Sequence, residues 1–217
     1  MKVDLQKAYD TVEWRFLKEM LHALNFLRKF IDLIMECIVN TSYSISLNGE
    51  QFGFIKGKRG LRQGDLLSPL LFVICLEYMS RIMRMIQEHS LFKFHPMCRK
   101  IRINHLCFAD DIILFCYGDK NFVELLMRGF ALFSRSSGLE MSKEKSFFYS
   151  GGMTANETDD LCSITSMVKG VLPFRYLCVA ISPKRWSILD GEFLVDRILE
   201  RIRSWGAKGR TNVGRWV

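Results

Sequence analysis

The run LCFADDIILFC at 106–116 sets two adjacent acids, Asp110 and Asp111, between two apolar stretches of β type. Ionised carboxylates are rarely left in an apolar core without a partner. The stretch from Ile101 to Tyr117 therefore reads as two β-rich runs joined at Ala109-Asp110-Asp111. On a strand the two side chains would point to opposite faces, whereas a tight turn aims both outward. An exposed hairpin turn that favours Asp would by itself account for the pair. A second short β-type run, KVDL, carries Asp4 and is followed by Lys7-Ala8-Tyr9-Asp10. If the two runs are neighbours, Asp4 and Asp110 can share hard divalent cations, which prefer carboxylate oxygens and substrate phosphates. Two such ions roughly 3.5–4 Å apart suit phosphoryl transfer. Spacing alone does not establish that adjacency.

The rest of the chain predicts a mixture of helices and hairpins. Val12, Phe16, Leu17, Met20, Leu21 and Leu24 share one face of a helix from Thr11 to about Leu24, with Thr11 as N-cap. A second helix spans roughly 27–39. TSYSISLNGEQFGFIKG alternates around Asn48-Gly49, a hairpin signal. The Gly-rich, basic loop KGKRGLRQGD leads to Ser68-Pro69, a cap and first-turn proline for a helix to about Gln87. Phe122, Leu125, Leu126, Phe130 and Phe133 face inward on a helix over 121–136. Short strands near 145–149 and 174–180 precede a basic amphipathic helix from about Asp190 to Trp205. With no βαβ repetition, the class is α+β.

At 217 residues and 49% apolar, the chain can bury a core and reads as one domain with a small appendage. No apolar run is long enough for a membrane span, and the acid-bearing start does not read as a signal peptide. The net charge of +8 suits an anionic partner. Half of that excess lies from Lys184 onward, where eight basic residues stand against four acids. A solvated helix face would also explain that tail. The seven cysteines form no CxxC pair and read as reduced thiols of an intracellular protein, not as disulfides or a zinc site.

VDLQKAYD at 3–10, GLRQGDLLSPLLF at 60–72 and FADD at 108–111 resemble motifs A, B and C of reverse transcriptases in order and spacing. GLEMSKEKS at 138–146 and LPFRYLCVAIS at 172–182 resemble motifs D and E. KAYDTVEW and the RYL segment are similar to plant LINE-type, non-LTR retrotransposons. The resemblance implies a palm over 1–182, an antiparallel sheet with packed helices, and the start of a helical thumb over 183–217. It implies RNA-directed DNA polymerase chemistry: addition of deoxynucleoside triphosphates to a DNA primer 3′ end on an RNA template with two Mg²⁺ ions, Mn²⁺ as substitute. Asp4 and Asp110 would be the principal metal ligands, with Asp111 completing the site. Tyr9 would lie under the incoming sugar and exclude a 2′-hydroxyl; packing of the strand-to-helix corner is the alternative. Gly60, Gln63 and Gly64 would touch the templating pair, unless they form only a capping loop. Lys145 would meet the pyrophosphate or remain a solvated lysine. Arg175, Tyr176 and Leu177 would form the primer grip. By analogy the compartment would be the nucleus.

The family carries fingers before motif A, where this chain has three residues ahead of Asp4. That implies an uncovered sheet with an exposed apolar patch, and a fragment inactive alone. No endonuclease, RNase H or zinc-knuckle segment is expected within these residues. Ser142 stands where motif D commonly has Asn. Cys178 stands where Gly commonly follows RYL, which puts the primer-grip turn in question because glycine readily takes φ > 0. Two readings therefore remain: a polymerase domain, and a truncated, inactive remnant with at most weak nucleic-acid binding. A metal-dependent hydrolase would leave the Gln63 and Tyr9 motifs unexplained.

Overall fold

The computed structural model describes residues 1–177, 179–181, 195–196 and 198–204. The chain divides into two compact units, Met1–Lys169 and Gly170–Val217. The first runs β1 (Lys2–Asp4), α1 (Ala8–Thr11), α2 (Trp14–Ala23), α3 (Arg28–Val39), β2 (Ser42–Leu47), β3 (Glu50–Lys56) and α4 (Ser68–Glu88). A 3-10 turn (Pro96–Cys98) then leads to β4 (His105–Phe108), β5 (Asp111–Leu114), α5 (Lys120–Ser137), β6 (Phe147–Phe148), α6 (Ala155–Thr165) and β7 (Val168–Lys169). The second unit holds the antiparallel hairpin of β8 (Phe174–Tyr176) and β9 (Val179–Ile181). Its described residues 195–196 and 198–204 are helical, as expected of that part of the basic helix. The remainder of the 190–205 helix lies outside the described residues, as does Cys178.

A five-stranded sheet, order β4-β5-β1-β6-β7, organises the first unit. It is antiparallel except for β6 and β7. A parallel pair needs a crossover, and α6 supplies it. That helix was not predicted. Its signal is the capping box of Thr154 and Glu157, in which each side chain satisfies the other residue's backbone N–H.

Residues opposite one another in a ladder share a face, so register sorts the sheet's side chains. Cys107, Ile112 and Val3 form one cross-strand row, and Ile112 and Val3 are fully buried. Phe108, Asp111 and Asp4 form a row on the opposite, more open face. The core continues through α2, α4 and α5, where Leu17, Leu21, Phe72, Met79, Met83, Leu126 and Phe133 are almost wholly buried. Asn104 ties α4 to the sheet: its amide donates to the Met83 carbonyl (2.7 Å), and its oxygen meets His105 Nδ1 (2.7 Å).

Two predicted caps are corrected. The helix expected from Thr11 is broken: α1 ends there, Val12 and Glu13 are extended (ψ 122° for both), and Glu13 is the residue preceding α2. The bend's backbone is used elsewhere. The Val12 carbonyl accepts from Gly60 N–H (2.8 Å), and Glu13 N–H donates to the Ser137 carbonyl (2.9 Å). The Thr11 hydroxyl donates back to the Lys7 carbonyl (3.3 Å). Ser68 does not cap α4 either; it is the helix's first residue and is buried, with Leu67 at the N-cap. Asp65 Oδ1 accepts from Leu67 N–H (2.9 Å) just ahead of it, and the first-turn Pro69 is as expected.

The Asn48-Gly49 hairpin forms, with φ of 53° and 88° at the two turn residues. On one face of its ribbon Tyr43, Ile45, Leu47, Phe52 and Ile55 are all exposed, and Leu106 and Phe108 are exposed on β4. The six described cysteines are free thiols. Burial pushes the Cys75 and Cys107 thiols up to about 12 and Cys116 to about 11.

Leu126, on α5, is 0% exposed. Leu126→Ala is expected to cost about 2–5 kcal/mol, read as a lowered urea midpoint with an unchanged slope.

Candidate active site

β1 and β5 are adjacent and antiparallel, with Asp4 opposite Asp111, so the fold brings together the acids singled out in the sequence. The ladder continues past them, since Leu5 N–H donates to the Asp110 carbonyl (3.2 Å). Asp110 occupies the two-residue turn between β4 and β5, and Asp111 opens β5. The pair thus divides between turn and strand. Ala109, immediately before Asp110, has φ +50°, and Lys7, at the turn after β1, has φ +45°. Left-handed backbone at non-glycine residues costs energy and gathers at functional sites; here it flanks the acids on both sides.

Motif D holds Asp4 from its other side. Asp4 N–H donates to Ser146 Oγ (3.1 Å), and the Asp4 carbonyl accepts from Ser142 N–H (2.8 Å). Ser142 acts through its backbone, so the Asn-to-Ser departure leaves this contact intact. Partial burial raises Asp4's carboxyl above the usual range; Lys145 draws it down, Asp110 and Asp111 push it up, and Lys2 draws it down. Lys145 is itself exposed. Lys2 Nζ lies 3.1 Å from Asp111 Oδ1. Neither Lys2 nor Ser146 was singled out in the sequence.

Gly60, Gln63 and Gly64 lie in a loop docked on the α1–α2 bend. Trp14's indole N–H donates to the Gly60 carbonyl (2.7 Å), and Leu61 N–H donates to the Tyr9 carbonyl (2.6 Å). Gly60 has φ +92°, and a Cβ there would lie 2.7 Å from the Asp10 carbonyl oxygen. Gln63 Nε2 reaches Asp10 Oδ1 at 3.5 Å, and exposed Gly64 has φ +87°. Tyr9, half-buried on α1, stacks on Phe72 with centroids 4.9 Å apart. Packing of the corner is therefore observed. Arg175, Tyr176 and Leu177 lie in the second unit, on β8 and its turn; Leu177 itself takes φ +49°.

Three carboxylates are the oxygen donors a hard divalent cation takes. Asp4 is only partly buried and Asp110 exposed, so charged phosphates can approach. The donor set fits such an ion by chemistry. Among the described residues, however, no three His, Cys, Asp or Glu side chains are gathered as a ready-made cage. An open cavity of about 430 Å³, lined in part by Glu13, Phe16 and Tyr78, involves none of the three acids.

Residues 1–181 match the family model described as reverse transcriptase (RNA-dependent DNA polymerase). The chain is similar to the Pol polyprotein of a type-1 retrotransposable element R2 of Popillia japonica, 30% identical over 145 residues, covering 67% of this chain and 23% of that protein. It is 47% identical over 66 residues to an uncharacterized mitochondrial protein of Arabidopsis thaliana, covering 30% of this chain and 54% of that one. A solved apo telomerase from Candida tropicalis aligns at TM-score 0.48 and 17% identity, over 64% of this chain and 28% of that chain. The chain therefore spans about half or less of these relatives' lengths.

Two measurements check the site. Asp4's raised pKa means that ionising it opposes folding, so its contribution to stability is fully present below the ordinary Asp value and lost as pH rises through the raised one. Asp4→Asn should therefore melt above the wild type at pH 7, with the gain shrinking as the pH falls into the carboxylate range. Gly60→Ala, by strain and collision with the Asp10 carbonyl, should lose about 1–3 kcal/mol in urea unfolding.

Proposed function

The chain belongs to the reverse transcriptase (RNA-dependent DNA polymerase) family, and from that premise we propose that its sheet carries out RNA-templated nucleotidyl transfer to a primer 3′-hydroxyl. The fold is the α+β palm of that family, and its relatives include Pol polyproteins of retrotransposable elements R2. The observation that carries the reading is the cross-strand pairing of Asp4 with Asp111, beside Asp110 on its turn. Divalent cations held by Asp4, Asp110 and Asp111, Mg²⁺ or in its place Mn²⁺, would activate the primer hydroxyl and stabilise the leaving pyrophosphate.

In this reading the remaining residues position substrates. Tyr9, its ring fixed on Phe72, presents its edge to the sugar of an incoming deoxynucleoside triphosphate. Gly60 and Gly64 allow close approach of the backbone to the templating pair, and Gln63 offers both a donor and an acceptor to it. Lys145, already acting on Asp4 by charge, neutralises the departing pyrophosphate. Arg175, Tyr176 and Leu177, on the hairpin of the second unit, grip the primer. The basic residues from 184 onward supply contacts to phosphates that carry no sequence information. The RNA template and DNA primer are thus held mainly by charge and backbone.

The test is primer extension by the purified chain on an RNA template with Mg²⁺ or Mn²⁺, beside Asp110→Ala. Extension by the wild type that falls below detection in Asp110→Ala is the expected result. Nucleic-acid binding without extension by a folded sample would instead give the remnant reading.

A further inference from the structure

Lys2 stands two residues before Asp4 on β1, so both side chains leave the same face of the sheet. Opposite them on β5 are Ile113 and Asp111. Lys2 thus reaches diagonally across the ladder to Asp111, and its ammonium lies 3.1 Å from Oδ1 with the two side chains 23% and 30% exposed. The flanks favour this position for a cation. Ile113 is 1% exposed beneath the lysine stem, and Phe147 is opposite Lys2 on the other side of β1. Lys2's charge is also felt at Asp4 and at Tyr149. A lysine on this face has one apolar row along which to lay its methylenes, while its head meets an acid of the neighbouring row.

We infer that Lys2 is a positioning residue that sets the site's affinity for divalent cations, because its ammonium and the incoming ion compete for the same Asp111 carboxylate. The inference rests on the reading of Asp4, Asp110 and Asp111 as metal ligands. Lys2 relieves repulsion among three acids and holds Asp111 turned toward β1. An ion taking Asp111 Oδ1 as a ligand must displace the ammonium, whose flexible stem allows it to swing away without moving the strand. Lys145 differs in this respect: it acts on Asp4 through charge and is exposed. Competition at one carboxylate has a signature that a general change of charge lacks, namely dependence on Asp111 itself.

The experiment is titration of the full chain with Mn²⁺ at low ionic strength, reading the free ion by electron paramagnetic resonance. The variants are Lys2→Met, Lys2→Arg, Asp111→Asn and the Lys2→Met/Asp111→Asn double variant, with Asp4→Asn marking the site. A partly exposed ion pair is worth up to about fivefold in an equilibrium constant. Lys2→Met should therefore bind Mn²⁺ about three- to fivefold more tightly than wild type, whereas Lys2→Arg, which keeps the pair, should bind like wild type. In the Asp111→Asn background the gain from Lys2→Met should vanish. Unchanged or weaker binding by a folded Lys2→Met overturns the inference and leaves the carboxylate reading intact. So does a gain that persists with Asp111→Asn, which would be general charge removal. If Asp4→Asn and Asp111→Asn both bind Mn²⁺ as tightly as wild type, the metal reading fails and the competition with it. Should Lys2→Met not fold, Lys2→Gln read through the same cycle decides the matter.

Discussion

The antiparallel pairing of β1 with β5 is the constraint on which the rest depends. Val3 faces Ile112 in the core, while one residue on, Asp4 faces Asp111 on the open face. Because side chains alternate with a period of two, a slip of one residue would turn Asp4 into the core and Val3 outward. The burial of an unpaired carboxylate in place of a valine is prohibitive. Hydrophobic burial on one face therefore enforces carboxylate proximity on the other, and no separate device is needed to assemble the acids. The chemistry of the site is a by-product of the core's register.

A second layer of polar backbone contacts fixes what surrounds that register. The α1–α2 bend gives up helical hydrogen bonds at Val12 and Glu13 and uses those groups to bind Gly60 and Ser137. Trp14 closes the arrangement through its indole N–H. Motif A, motif B and the end of α5 are thereby tied at one corner. Gly60 is required there on two grounds, its positive φ and the Asp10 carbonyl where a Cβ would go. The same corner carries Tyr9 and the approach of Gln63 to Asp10. The loop's position is thus inherited from the bend.

Much of this was legible in the sequence, and the exceptions have physical causes. Strong periodicity located α3, α4 and α5, and Asn48-Gly49 located its hairpin, because those signals are local. The bend at Val12 was not legible: the apolar spacing continues through it, and the partners that break the helix are dozens of residues away. Thr11 and Ser68 look like caps by residue type, but tertiary contacts break the helix at Val12 and Glu13, and α4 begins at Ser68 itself, behind the local bond of Leu67 N–H to Asp65. α6 is weakly amphipathic, and only its capping box announces it. The adjacency of the runs carrying Asp4 and Asp110 came from resemblance to a family, since nothing local says which strands pair. Lys2 and Ser146 went unnoticed because a lysine and a serine carry no pattern of their own; their meaning appears only across the ladder.

Charge explains why the site sits where it does along the sheet. Partial burial raises Asp4's carboxyl, and the charges of Asp110 and Asp111 at the β4–β5 turn add to that cost. Lys2 and Lys145 offset part of it from positions that remain movable. Left-handed backbone at Lys7 and Ala109 adds further strain at the same end of the sheet. A fold selected for stability alone would not gather these terms in one place. They are tolerable because the adjacent rows are apolar and closely packed, with Ile112, Ile113 and Leu114 holding β5 in the core. The well-packed half of β5 keeps its acidic end in register, so the unfavourable charges stay together at that end of the sheet.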